Sequence, residues 1–264
     1  MASEPAAKTI LVERKERVAW VTISRPEVHN ALDGHTIREL EAALREVADD
    51  ADVRCVVLRG AGDKVFVSGG DVREFRDKLS SAGSARDYDL EIERMQVVIR
   101  EMSKPVIAQI QGHAIGGGCV LAVVCDFRIA STKAKFGIPV ARFGLMLSVL
   151  DTVRLAELVG VGQARRLLMT GAVIDAREAH RIGLIDQIVE ADALVSTTEA
   201  FAATLAANAP LSIKATKRML AAFHSRQLSI ADGDPWYREL YTSRDLQEGI
   251  DAFFGKRKPD FKGH

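Results

Sequence analysis

The sequence predicts an α/β fold, with a core of alternating strands and helices followed by a helical C-terminal region. Short β-rich runs alternate with segments whose apolar residues recur every three or four positions. Two glycine-rich turns, Ser68-Gly69-Gly70 and the segment 112–118, each lie between a strand-like run and a helical one. Beyond Ser148 the spacing is mostly helical, interrupted by one strand-like run at 185–189.

Ile10-Leu11-Val12 and the run 18–23 are β-rich and flank the charged stretch 13–17, the pattern of a hairpin. Arg25-Pro26 ends the second strand. Asp33 is positioned to cap a helix whose apolar stripe is Ile37, Leu40, Leu44 and Val47. Cys55-Val56-Val57-Leu58 is a continuous apolar run, which suits a buried strand, and Val65-Phe66-Val67 is another strand-like run. The small polar stretch 80–84 reads as a mobile loop. The next helix is therefore expected from about Asp89 to Met102, with Ile92, Met95, Ile99 and Met102 on one side and Pro105 as its stop. Strands are expected at 106–110 and 127–130, separated by the glycine turn and a short apolar helix, 119–125. This recurring order implies a right-handed succession of parallel strands. Helical spacing then covers 190–208, 211–223 and 235–254.

Of the 264 residues, 47% are apolar and 27% charged, the balance of an ordinary soluble globular protein. Lys plus Arg equals Asp plus Glu at 36 each, so net charge gives no reason to expect nucleic acid or membrane as a partner. Cys55, Cys119 and Cys125 lie in apolar runs and read as reduced core thiols. Cys119 stands at a helix start, which favours a thiolate, but its neighbours are apolar. The N-terminal residues lack the apolar stretch of a signal peptide, and no run is long enough to span a membrane. A cytoplasmic location follows by default. The histidines are scattered and no Cys or His pair has ligand spacing, so no metal site is expected.

The segment Gln111-Gly112-His113-Ala114-Ile115-Gly116-Gly117-Gly118 exposes backbone N–H groups at a helix start, where negative charge is favoured. It is not a dinucleotide fingerprint, because Leu121 occupies the third glycine position, and it lacks the Gly-Lys-Ser/Thr ending of a P-loop. Alone it is equally a tight turn. Phe66-Val67-Ser68-Gly69-Gly70-Asp71-Val72 also turns sharply after a strand, and two such loops can present two N–H groups to one oxygen, forming an oxyanion hole.

Arg25-Pro26-Glu27-Val28-His29-Asn30-Ala31-Leu32, the loop 66–71, and Lys104-Pro105-Val106-Ile107-Ala108 followed by 111–118 occur in that order. Cys125-Asp126-Phe127-Arg128-Ile129-Ala130, Ala134-Lys135-Phe136-Gly137, Thr170-Gly171, Asp175-Ala176, Glu178-Ala179 and Gly183-Leu184-Ile185 follow, then Glu248-Gly249, Phe253 and Lys256-Arg257-Lys258-Pro259. Over nearly its whole length the chain thus resembles the crotonase, or enoyl-CoA hydratase/isomerase, superfamily. The resemblance implies a crotonase-like ββα spiral core over 1–194 that binds an acyl-CoA thioester. The helical region over 195–264 carries Phe201, Leu205, Met219, Leu220, Phe223 and Phe254 at helical spacings, too apolar to stand alone in water, so it is expected to mediate oligomerisation into a homotrimer or a dimer of trimers. By the same resemblance the oxyanion donors fall on the N–H groups of Gly70 and Gly117. Coenzyme A contacts fall on Glu27, Val28, His29 and Ala31, with Ser68, Asp71 and Val72 lining the same cleft. Phe253 and Lys256 fall at the nucleotide end, from a neighbouring subunit; read alone, Lys256-Arg257-Lys258 is a solvated tail. No separate cofactor is implied, since coenzyme A arrives as part of the substrate.

The chain departs from the hydratase pattern where the resemblance implies two catalytic glutamates: those positions are Val120 and Val140. Hydration needs an activated water and a delivered proton, and acid–base groups typically contribute about 10²–10⁴-fold, so standard hydratase turnover is not expected. The remaining candidates are Asp151, Ser148 and His113. Ser148, Asp151 and Arg154 lie near one helix face, where they fit either a proton-transfer site or a helix cap beside a surface ion pair. His113 fits catalysis or a structural role, Glu93 a cleft roof or a solvated face, and Arg142 a contact to a substrate carboxylate. Two readings stand: an enzyme working through enolate stabilisation (a decarboxylase or thioester hydrolase included), or a non-catalytic acyl-CoA-binding protein. A polar group near the thioester favours the first, a wholly apolar cleft the second.

Overall fold

The computed structural model describes residues 8–222, 239 and 242–264, without the side chains of Arg76, Ala222 and Phe253. β1 (Ile10–Lys15) and β2 (Val18–Ile23) pair antiparallel as the expected hairpin. α1 (Gly34–Asp49) begins at Asp33, whose carboxylate accepts from the Thr36 N–H at 2.7 Å. Its stripe of Ile37, Leu40, Leu44 and Val47 is fully buried. The chain then lays down β3 (Cys55–Gly60), β4 (Val65–Val67), β5 (Val106–Ile110), β6 (His113–Ile115), β7 (Phe127–Ser131), β8 (Lys135–Gly137), β9 (Val173–Asp175) and β10 (Gln187–Val189).

Two sheets result, one in the order β1-β2-β3-β5-β7-β10 and the other β4-β6-β8-β9. Each turn of the chain gives one strand to each sheet: β3 then β4, β5 then β6, β7 then β8. Pairing is parallel from β2 to β10 and from β4 to β8. This is the ββα spiral. The second sheet was only partly visible in the sequence. The segment 112–118 was expected to be a turn throughout, yet its centre is β6, and three-residue strands are too short to show a period.

Both faces of the larger sheet are buried, which explains its continuous apolar runs. Val56 and Leu58 of β3 face the main core with α1, whereas Cys55 and Val57 face a second cluster with Trp20, Ile107 and Ile129. That second cluster is closed by Leu194 and Ala202 of α7 (Leu194–Ala207). A division at 194/195 therefore falls at the start of a helix whose inner side completes the sheet's second layer.

The remaining helices are α2 (Phe75–Lys78), α3 (Ala82–Glu101), α4 (Gly117–Val124), α5 (Val149–Thr170), α6 (Ala176–Arg181), α8 (Pro210–Ala222) and α9 (Arg244–Phe254). α3 starts seven residues before the expected Asp89. The polar stretch taken as a loop is its cap, in which the Ser81 hydroxyl accepts from the Ser84 N–H and the Ser84 hydroxyl accepts from the Ser81 N–H. Lys217 ties α8 to the core, donating to the Ile99 and Lys104 carbonyls at 2.9 Å each and to Asp126 at 2.6 Å. Asp245 of α9 accepts from the N–H groups of Lys262 and Gly263, fastening the chain end to that helix. Phe223 and most of the segment 223–241 lie outside the described residues.

Candidate active site

Asn30 holds the first loop. It is fully buried with φ +56°, and its side-chain amide donates to the carbonyls of Ala61 and Val65 at 3.0 Å and of Phe66 at 3.3 Å. Its side-chain oxygen accepts from the Arg25 N–H. Arg25 in turn pairs with Asp33 at 2.7 Å and Asp71 at 3.5 Å. The Leu32 N–H donates to Gly69, and the Asp71 N–H donates to Leu32, so a two-residue bridge joins the 25–33 segment to the Ser68–Asp71 turn.

The second loop runs from β6 into α4. Gly116 takes φ +54°, a region that favours glycine, and turns the chain into the helix. At Gly118 an added Cβ would lie 1.9 Å from the Val67 carbonyl oxygen, so only glycine lets α4 lie against the end of β4. The two loops therefore touch. A Cβ on Gly69 would be 3.4 Å from the Gly117 nitrogen, and one on Gly117 would be 3.5 Å from the Gly70 nitrogen. Among the described residues neither the Gly70 nor the Gly117 N–H has an acceptor. Both residues line one cavity of about 140 Å³. Two unsatisfied amides at one wall, one at a helix N-terminus, suit an oxygen that gains negative charge.

Apolar side chains form most of the cavity, among them Ile92, Met95, Val120, Leu121, Ile138 and Val140. Val120 and Val140 thus stand on its wall with no group able to move a proton. Polar groups come from Tyr88 and Asp89 of α3, Gln96, Ser148 and Asp151. Asp151 is buried at 7% exposure. Its oxygens accept from the Ser148 hydroxyl at 2.9 Å and from Arg154 at 3.1 Å. Arg154 also clamps both oxygens of Glu93, at 3.0 and 2.8 Å, and donates to Gln96. Burial raises the pKa of Asp151, with Glu93 adding to it, against the pull of Ser148 and Arg154. Asp89, exposed on its outer side at the cavity mouth, is raised by the desolvation of the wall it lines and then by Asp151.

The alternatives posed for Ser148 and Asp151 coexist. Ser148 caps α5, accepting from the Asp151 N–H at 3.1 Å, while the Asp151–Arg154 pair is buried at the cavity instead of lying on the surface. Glu93, read alternatively as a solvated face, is half-buried as the anchor of Arg154. His113 does not fit a catalytic role: it is exposed on β6 and absent from the cavity lining, because strand alternation turns Ala114 inward instead. Arg142 folds over Gly171, outside the cavity.

Glu27 and His29 are exposed, Val28 is half-buried and Ala31 is buried, along a 3-10 turn whose His29 carbonyl accepts from the Ser68 N–H. The structure thus brings 27–31 to Ser68, Asp71 and Val72, just outside the cavity. Asp71 is buried against Arg73 and Arg25, and the Arg73 guanidinium holds its carboxyl down to about 2. Val72 is 66% exposed. Lys256 is exposed after α9, and the Phe253 side chain lies outside the described residues. All three cysteines are buried, and burial pushes their thiols up to about 12, so they are protonated and inert. Asn30, Tyr88 and Asp89 were not singled out from sequence as site residues; Asn30 alone carried a signal, its place in the 25–32 motif.

A family model described as enoyl-CoA hydratase/isomerase matches residues 13–264. A crotonyl-CoA hydratase of Syntrophomonas wolfei is 38% identical over 261 residues, 97% of this chain and 98% of that protein. A short-chain-enoyl-CoA hydratase of Clostridium acetobutylicum is 35% identical over 251 residues, 94% of this chain and 95% of that one. The crystal structure of an enoyl-CoA hydratase/carnithine racemase from Magnetospirillum magneticum superposes with a TM-score of 0.94 at 33% identity, covering 98% of this chain and 97% of that one.

Proposed function

The chain belongs to the enoyl-CoA hydratase/isomerase family, and from that premise we propose that it binds an acyl-CoA thioester and moves a proton at the carbon next to the thioester carbonyl. The thioester oxygen accepts from the N–H groups of Gly70 and Gly117. Asp151 takes the proton from the α-carbon, and the electron pair left behind moves onto that oxygen as an enolate. Returning the proton to the γ-carbon converts a 3-enoyl into a 2-enoyl thioester. One carboxylate suffices for this exchange, whereas hydration needs a second group to activate water, and Val120 and Val140 supply none.

The observation that carries the reading is a buried carboxylate with a raised pKa in the same cavity as two unsatisfied amides. A carboxylate whose environment disfavours charge is a stronger base than a solvated one. The same polar group favours the enzyme over a purely binding role, which a wholly apolar cleft would suit. Ser148 and Arg154 orient Asp151, and Glu27–Ala31 with Ser68 line the way out for coenzyme A.

The test follows isomerisation of 3-hexenoyl-CoA and hydration of crotonyl-CoA by absorbance. Isomerisation is expected, and Asp151→Asn should slow it by about 10²–10⁴-fold. Crotonyl-CoA hydration at about 1–10³ per second, typical of enzymes, would overturn the reading. Equal affinity for butyryl-CoA and free butyrate in calorimetry would remove the binding part as well.

A further inference from the structure

Tyr88 reaches the oxyanion wall from α3. An added Cβ on Gly70 would lie 2.5 Å from the Tyr88 hydroxyl oxygen and 2.9 Å from Phe75 Cε1. Within one residue Cβ and N are about 2.5 Å apart. The hydroxyl is therefore no farther than about 5 Å from the Gly70 nitrogen, a span that one oxygen atom, hydrogen-bonded at about 2.9 Å to each side, can bridge. Tyr88 is 9% exposed and its residue lines the same cavity as Gly70 and Gly117. Among the described residues its hydroxyl has no hydrogen-bond partner.

The residue is buried while its hydroxyl keeps access to the cavity, so the O–H is placed to donate to a group bound there. The ring is fixed independently of the hydroxyl. It meets Phe75 edge to face at 6.4 Å between centroids, and the Lys78 ammonium stands 5.7 Å from the ring centre. We propose that the Tyr88 hydroxyl is a third hydrogen-bond donor to the carbonyl oxygen of the bound acyl thioester, beside the N–H groups of Gly70 and Gly117. Burial, with the acidic residues Glu74, Glu91, Asp89 and Asp71 around it, pushes this phenol up to about 12, so it keeps its proton and donates at neutral pH. Glycine is then required at position 70 for the room it leaves, since an added Cβ would collide with the hydroxyl, whereas the N–H is a donor that any residue but proline supplies.

The inference rests on the acyl-thioester reading above, and its test separates the two. Butyryl-CoA and its thioether analogue S-butyl-CoA differ in the carbonyl oxygen. Calorimetry of wild type and Tyr88→Phe measures affinity for both, and infrared difference spectra give the carbonyl stretch of bound butyryl-CoA. Phe keeps the ring contacts. The expected result is unchanged thioether affinity, thioester affinity lowered about 3- to 10-fold, and a carbonyl stretch shifted to higher frequency. Unchanged thioether affinity also shows that the variant folds. An equal loss for both ligands, or an unmoved stretch with thioester affinity intact, overturns the third donor while leaving the thioester reading standing. Wild type that ignores butyryl-CoA overturns both.

Discussion

Asp151 is pulled in two directions: burial and the Glu93 charge favour its neutral form, whereas Ser148 and Arg154 favour the carboxylate, and Asp89 faces it across the cavity mouth. The net effect is a raised pKa. An acid whose folded pKa exceeds its unfolded one contributes stability below the unfolded value and loses it as pH rises through the folded one. Ionised Asp151 therefore opposes folding at neutral pH. The substitution expected to abolish proton transfer, Asp151→Asn, should thus raise the urea midpoint at neutral pH, with the gap to wild type closing under mildly acidic conditions. A midpoint lowered equally at both pH values would mean that the Arg154 contact outweighs burial. Such opposition between function and stability is common where a site keeps a charge its surroundings disfavour. Sequence spacing placed Ser148, Asp151 and Arg154 near one face, which made this group legible. Tyr88 was not legible, because it precedes the apolar stripe by which α3 was recognised and its importance depends on Gly70, 18 residues earlier in the chain.

At the level of elements, the site depends on loops joined by side-chain-to-backbone bonds more than on helices. Asn30 donates to three carbonyls of the 61–66 stretch, more than 30 residues further along the chain, and adopts φ +56°. Asn30→Ala removes this donor from the Ala61 and Phe66 carbonyls, while Val65 keeps the Gln111 amide at 2.8 Å, and places a Cβ without a compensating polar contact in the left-handed region. The expected cost is about 2–4 kcal/mol in urea unfolding. His29 has nearly the same dihedral, φ +57°, but is exposed, so His29→Ala should cost only about 1 kcal/mol. Equal losses would assign the whole effect to backbone strain and none to the carbonyls. The hairpin, α1 and the buried strands were legible, because Ile37, Leu40, Leu44 and Val47, like Cys55 to Leu58, declare their periods over several residues. The start of α3 was not, since serine favours loops and helix caps alike. β6, β8 and β9 are three residues each and too short to show alternation.

At the scale of the whole molecule, exposed apolar surface is distributed unevenly. One group lies on the first part of α5, before the break at Gly160 (φ +78°), and on the segment preceding it, with Met146 77%, Val149 70%, Leu150 50% and Val153 47% exposed. A second lies on α8 and α9, with Leu220 64% and Phe254 78% exposed. Large apolar patches on a monomer mark contact surfaces. Two unlike patches on one chain suit a ring in which each copy offers one patch to one neighbour and the other patch to the next, as a three-fold assembly requires. The 28.8 kDa chain is therefore expected to sediment as three or six copies at micromolar concentration. Val149→Glu with Val153→Glu should break the ring by disabling the first patch, and Leu220→Glu with Phe254→Glu by disabling the second. The decisive sample is the mixture. Each variant retains the patch that the other has lost, so an equimolar mixture can form one contact per pair and should sediment as a species of two copies, which neither variant forms alone. If each patch instead paired with its own like, the mixture would behave as the sum of the two variants and no new species would appear. Wild type sedimenting as a single chain would show that neither patch joins copies of the chain.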